Sequence, residues 1–292
     1  MKKRREIPIA NIIVALMFII GAGVFLYPTV SNYFFKKNSS YVTEQYAAKI
    51  SSLTQEEISV EMQKAIEYNE ALVGEPVRDP FIDGSGIALP ENYIEVLDLD
   101  GVICTIEIPK IDVKLPVKHG TGDEVLQTAV GHLRQTALPI GGKGNNPVLS
   151  GHTGLANARI FTDLTELEKG DFVIINILDE VHYYKVDKIY IILPEDVKNL
   201  NPDPDRDLLT LLTCTPYGIN SHRLVVQCER YYPENSAEIK QIIKPNVSPI
   251  IKAVKEYKSV VVVVFFFVAF IIVWIVFTVV ERRRKLKKSK EE

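Results

Sequence analysis

The residues best suited to covalent chemistry lie in one stretch, LLTLLTCTPYGINSHR, from Leu208 to Arg223. An apolar run ends in Thr213-Cys214-Thr215, a turn carrying Pro216 and Gly218 follows, and His222 and Arg223 open the next run. A strand end is where a scaffold presents reactive groups. Arg223 lies nine residues beyond Cys214, a spacing that lets a hairpin set the guanidinium beside the thiol. A neighbouring cation favours the thiolate, which is the nucleophilic form. The same guanidinium can hold the oxyanion that forms when a thiolate attacks an acyl carbon. The residue types and their spacing suit acyl transfer, with a buried structural thiol as the alternative reading of Cys214.

Such chemistry also needs a proton donor and acceptor. The five histidines are His119, His132, His152, His182 and His222. His222 is nearest, but neighbouring strand residues point to opposite faces, so a strand that aims Arg223 at Cys214 aims His222 away. His152 is better placed, because PVLSGHTG reads as a strand ending in a glycine-flanked loop. At reference pKa values of about 8.5 for cysteine and 6.5 for histidine, a neutral solution favours thiol and neutral imidazole. Only a fraction of the chains is then correctly ionised, unless Arg223 favours the thiolate. The other two cysteines, Cys104 and Cys228, sit in strand-like runs, VICTIEI and RLVVQCER. Three cysteines do not make a disulfide framework, and free cysteine is among the most buried residue types. Whether these two pair is left open.

The elements that must position these residues read as mainly β. Strand signals occur in VICTIEIPKIDVKLPV, NPVLSGH, DFVIINIL, HYYKVDKIYIIL, LLTLLTC and HRLVVQCER. In the first, Cys104, Ile106 and Ile108 alternate with Thr105 and Glu107, the period-2 pattern of a half-buried strand. Many short strands with Pro and Gly turns imply a barrel or sandwich. One segment among them, ARIFTDLTELEKGD, reads as helical. Before the strands, residues 41–73 read as helical. Thr54-Gln55-Glu56-Glu57 has the form of a capping box, and Ile58, Met62, Ala65, Ile66 and Leu72 follow as an apolar stripe. Gly84, Gly86 and Pro90 mark a loop, near whose start lies Asp79-Pro80-Phe81.

The average composition, 47% hydrophobic and 24% charged over 292 residues, hides two apolar ends. Ser259–Val280 is uncharged, and about 20 apolar residues suffice for a helix to cross a bilayer. In lipid only internally hydrogen-bonded backbone survives, so its β-branched residues form helix. Residues 7–27 read as a second span. A cleaved signal sequence is the alternative, but no clean small-x-small site precedes Tyr27-Pro28. Lys2, Lys3, Arg4 and Arg5 flank the first span, and seven basic residues from Arg282 to Lys290 follow the second, so both termini belong in the cytoplasm. These tails carry +3 and +4 of a total of −3, which leaves −10 on the segment between them. That segment has no basic footprint for nucleic acid.

With these residues in view, TLLTCTPYGINSHR resembles the T-L-x-T-C signature and downstream arginine of sortases. LSGHTGLANARIFTDLTELEKGD resembles their histidine segment, and RDPF resembles the lid motif of the class C, pilin-polymerising members. Ser221 departs from the Thr of many relatives, and Gln227-Cys228 stands where glycine is common. The resemblance implies a sortase-type eight-stranded β-barrel with peripheral helices, an N-terminal helical and lid region, and two transmembrane helices. Its domains would be a cytoplasmic tail (1–6), an anchor or signal segment (7–27), an outer helical region (28–78), a lid loop (79–95), the catalytic barrel (96–240), a linker (241–258), a transmembrane helix (259–280) and a basic cytoplasmic tail (281–292). It further implies that His152, Cys214 and Arg223 are catalytic, and that Asp79 and Phe81 plug the cleft. The implied reaction cleaves an LPxTG-like sorting signal between Thr and Gly and joins pilin subunits through an acceptor lysine, with no cofactor and no metal. The chain would then be an integral membrane protein with its catalytic domain on the extracellular face and no nucleic-acid partner. Two rival readings are an L,D-transpeptidase-like enzyme, whose arginine follows its cysteine by about two residues, and a non-enzymatic pilus-assembly scaffold with a buried Cys214. Alkylation of Cys214 separates the enzymes from the scaffold, because a buried structural thiol is inert.

Overall fold

A computed structural model of the chain describes residues 9–72 and 91–244, together with residues 260–262, 264–267, 269, 270, 274 and 280. The chain forms two units, residues 32–247 and the two terminal segments, 1–31 with 248–292. In the terminal unit, the Phe18 ring stacks on Phe270 with centroids 5.0 Å apart, and tilts against Phe267 at 5.8 Å. Among the described residues one helix is long and apolar enough to cross a membrane, and it lies near the N-terminus. The described positions between 260 and 280 are helical; the remainder of the expected 259–280 span lies outside the described residues.

That N-terminal helix, α1, runs without interruption over Ile9–Ser52, through Pro28. The sequence pattern places a span up to residue 27 and a separate helix from residue 41. The intervening residues are helical as well, although a helix-interior proline removes a backbone hydrogen bond. Phe35 lies against the core, Lys36 Nζ is 3.1 Å from Asp112 Oδ2, and Ser39 is buried. Farther along, the buried Tyr46 donates its hydroxyl to Ile103 O (2.9 Å) and accepts from Leu178 N–H (3.1 Å). Helix α2, Gln55–Ala71, starts with the expected capping box: Thr54 Oγ1 accepts from Glu57 N–H, and Glu57 Oε2 accepts from Thr54 N–H. Its buried stripe is Ile58, Ala65, Tyr68, Asn69 and Leu72, and Ile66 of the expected stripe faces outward. Asn69 exchanges two hydrogen bonds with the backbone of Leu138, which fixes α2 to the barrel.

Eight strands close into a barrel: β1 Cys104–Ile108, β2 Val113–His119, β3 Val130–His132, β4 Val148–Ser150, β5 Phe172–Ile177, β6 Glu180–Ile192, β7 Leu208–Thr215 and β8 His222–Tyr231. The order around the barrel is β1-β2-β3-β4-β7-β8-β6-β5. Two pairings, β2–β3 and β4–β7, are parallel. A short helix, α3 (Asp123–Leu126), lies in the β2–β3 crossover, and α4 (Ser236–Ile243), capped by the Asn235 side chain, follows β8. The strand signals in the sequence match all strands except β3, whose three residues are too few to show a period. Neither short helix was expected.

Residues 158–171 do not form the expected helix; they hold a single 3₁₀ turn, Leu164–Glu166. Adjacent residues Ile160 and Phe161 are both buried, together with Ala158, Leu164 and Leu167. Cys104 and Cys228 are buried free thiols, so the open question of their pairing is answered, and burial raises both pKa values.

Three histidines outside the Cys214 region stay neutral when folded. Burial pushes His132 down to about 4, and burial also lowers His119 and His182. The unfolded chain takes up protons near pH 6.5, but the folded chain resists until lower pH. Stability from these groups is therefore full above about pH 6.5 and falls as pH drops, by up to about 1.4 kcal/mol per pH unit per histidine. Urea midpoints measured from pH 7 to pH 4 should decline, and His132→Gln should flatten the decline. An unchanged midpoint across that range would contradict the burial assignment.

Candidate active site

The β7–β8 pairing builds the centre of the site. Register sets Cys214 directly against Arg223, and Thr215 against His222. Opposite residues in an antiparallel pair project from the same face, so Cys214 and Arg223 face one side and His222 the other. This matches the expected hairpin. Arg223 is only 5% exposed, and its Nη1 donates to the carbonyls of Asn220 (3.1 Å) and His222 (3.3 Å). The guanidinium is thus oriented by the backbone of its own turn. Cys214 is partly exposed, unlike the other two cysteines.

His152 arrives from β4. That strand runs parallel to β7, with Ser150 level with Leu212. Gly151 N–H donates to Leu212 O (3.2 Å), and Thr213 Oγ1 donates to Gly151 O (2.6 Å), so the alignment continues past the strand end. Extended two places beyond Ser150, the same alignment leads His152 toward Cys214. Gly151 is required here, because a Cβ at that position would lie 2.7 Å from Ile160 Cγ2 and 2.8 Å from the Phe161 ring. The His152 carbonyl accepts from Phe161 N–H at 3.1 Å, which ties the following loop to the same place. Gly154, at φ +79°, faces the ring of Tyr217 from the β7–β8 turn, 3.1 Å from where a Cβ would sit. The loops carrying His152 and Cys214 therefore meet at Gly154 and Tyr217.

Alternation along the strands shows where this constellation lies. Leu209, Leu211, Leu224 and Val226 point into the barrel core. Leu212 and Val225, which share the face of Cys214 and Arg223, join a separate apolar cluster with Leu133, Val148, Ile192 and Leu200. Ile192, the last residue of β6, pairs with Arg223 on its other side. Cys214 and Arg223 thus sit on the outer wall of the barrel, at the end of an apolar floor.

The remaining histidines have other partners. His132 is buried between Tyr93 and the Ala137 carbonyl, His119 contacts Val96 O, His182 contacts Glu180, and His222 contacts Ser221. His182, at the third position of β6, is only 2% exposed. Asp79 and Phe81 lie outside the described residues.

The Sortase domain model matches residues 106–231. Sortase A of Bacillus anthracis is 31% identical over 150 residues, which covers 50% of this chain and 69% of that protein. Sortase A of Streptococcus agalactiae is 30% identical over 131 residues, 44% of this chain and 52% of that protein, so the match spans about half of that relative. The crystal structure of sortase C-1 from Actinomyces oris superposes with a TM-score of 0.59 at 42% identity, covering 61% of this chain and 99% of that one. The chain belongs to the sortase family, whose members are cysteine transpeptidases.

Burial lowers the His152 pKa, and the Asp123 carboxylate at the start of α3 acts against that shift. Removing the carboxylate in Asp123→Asn should therefore lower it further. The His152 midpoint, read from its imidazole NMR resonance, should lie below 6.5 and drop again in the variant. A midpoint that rises in the variant would contradict the assigned influence of Asp123.

Proposed function

We propose that the chain is a class C sortase that polymerises pilin subunits, with Cys214 as nucleophile, His152 as acid and base, and Arg223 as oxyanion partner. The observation that carries this reading is the register that sets Cys214 against Arg223, with His152 just beyond the strand that runs alongside β7. The 42% identity to a sortase C-1 supports the class. The Cys214 thiolate attacks the carbonyl carbon between Thr and Gly of an LPxTG-like signal, and a C–S bond forms. The Arg223 guanidinium offsets the charge on the tetrahedral oxygen. Collapse breaks the C–N bond, and the His152 imidazolium gives its proton to the leaving amine. A pilin lysine amine then attacks the thioester and passes its proton to the now neutral His152. The thiolate leaves, and an isopeptide bond joins the two subunits. Amine must outcompete water in this second half, so a covered cleft serves the reaction.

Two spans, at 7–27 and 259–280, would hold both termini in the cytoplasm and the barrel on the extracellular face. The RDPF segment would act as the lid, with Asp79 toward Arg223 and Phe81 toward Cys214. A shielded ion pair and a covered aromatic together hold such a lid closed by about a few kcal/mol. A minor open population then remains for substrate to select.

Incubation of the full chain in detergent with a candidate pilin should yield a Thr–Lys isopeptide by mass spectrometry, and Cys214→Ala should yield none. Polymer formed by the alanine variant would refute the nucleophile. His152→Ala should lose roughly 10²–10⁴-fold in rate, and His222→Ala far less, because it faces the other side of β8. Equal losses would contradict the proposed roles. Asp79→Ala with Phe81→Ala should speed alkylation of Cys214 by a small thiol reagent and raise turnover of a free signal peptide. An unchanged alkylation rate would show RDPF to be an ordinary turn.

A further inference from the structure

The outer face of the barrel carries one polar cluster in a position that apolar residues could fill. Asn146, 2% exposed, stands just before β4, and Thr210, 0% exposed, stands on β7 four residues before Cys214. Thr210 Oγ1 donates to Asn146 Oδ1 at 2.8 Å. Asn146 Nδ2 donates to Leu200 O at 2.9 Å and approaches Asn201 O at 3.5 Å. Both ends of the amide are therefore engaged. The partners lie 54 to 64 positions away in sequence, so no local turn explains the arrangement.

Leu200 ends the 3₁₀ turn Val197–Leu200 in the connection between β6 and β7. Its side chain packs with Ile192, Leu212 and Val225, and Val197 lies against the same cluster. Ile192 pairs with Arg223, and Leu212 is two residues from Cys214. The connection therefore walls the apolar floor beside the reactive pair. Apolar packing alone lets such a wall slide, because it is non-directional. A hydrogen bond to one carbonyl does not.

We infer that Asn146, oriented by Thr210, is a positioning residue that pins the β6–β7 connection and so sets the wall against which an acyl-donor peptide lies. The inference rests on the proposed acyl-transfer function. Asn146 touches no reacting atom. It acts by holding the Leu200 carbonyl, while Thr210 keeps the amide from rotating.

The test uses the full chain in detergent with a fluorogenic LPxTG peptide and the variants Asn146→Ala, Thr210→Val and Thr210→Ser, with active sites counted by Cys214 alkylation. Asn146→Ala and Thr210→Val should raise KM about tenfold, the effect of losing one hydrogen bond's contribution. Their kcat per active site and Cys214 alkylation rate should stay near wild type. Thr210→Ser, which keeps the hydroxyl, should keep the wild-type KM. Amide hydrogen exchange should speed up over residues 196–201 in Asn146→Ala, with β7 and β8 unchanged. Unchanged KM in both disrupting variants, a loss confined to kcat, or unchanged exchange over 196–201 would overturn the inference. If the wild type did not turn over the peptide, the proposed donor would fail, and the exchange comparison would still decide the clamp.

Discussion

The antiparallel register of β7 against β8 is the constraint on which the site depends. It runs from Leu208 opposite Glu229 to Thr215 opposite His222. A slip of one residue would turn every side chain of one strand to the other face. The buried faces prevent that slip. Leu209 and Leu211 with Val226 and Leu224 fill the barrel, while Leu212 and Val225 fill the outer cluster. Apolar burial on both faces of the sheet thus sets the position of a thiol and a guanidinium at its end, which neither group could secure by itself.

The parallel pairing of β4 with β7 adds the third group. Parallel strands need a crossover rather than a tight turn, so His152 and Cys214 come from distant parts of the chain. Thr213 and Gly151 join the two strands beyond the last ladder pair, and Gly151 admits the Ile160–Phe161 segment that holds the His152 carbonyl. Closure of the barrel removes strand edges that would otherwise be free to pair elsewhere.

Much of this was legible in sequence where the signal is local. The Cys214–Arg223 hairpin follows from an apolar run, a Pro and Gly turn and a return strand. The opposite facing of His222 follows from strand alternation, and the α2 cap from four residues. Other features depend on contacts between distant residues. The continuity of α1 through Pro28 has no local signal, and within it Phe35 lies against the core and Lys36 meets Asp112 only in the fold. The irregular path of residues 158–171 has no local signal, because Ile160, Phe161, Leu164 and Leu167 would also fit one helical stripe. Asn146 and Thr210 look like ordinary polar residues beside strands, and only the fold brings them within 2.8 Å. The burial of His182 was likewise hidden, since its neighbours Glu180 and Val181 are exposed.

The central claim is that register makes Cys214 the acyl acceptor. The direct measurement is to mix the full chain with an LPxTG peptide, quench in acid, digest, and locate the acyl mass by mass spectrometry. The account predicts an acyl adduct ending in the threonine on the peptide containing Cys214, with the peptides containing Cys104 and Cys228 unmodified. Cleavage of the signal with no adduct on Cys214, or an adduct on either of the other two cysteines, would contradict it.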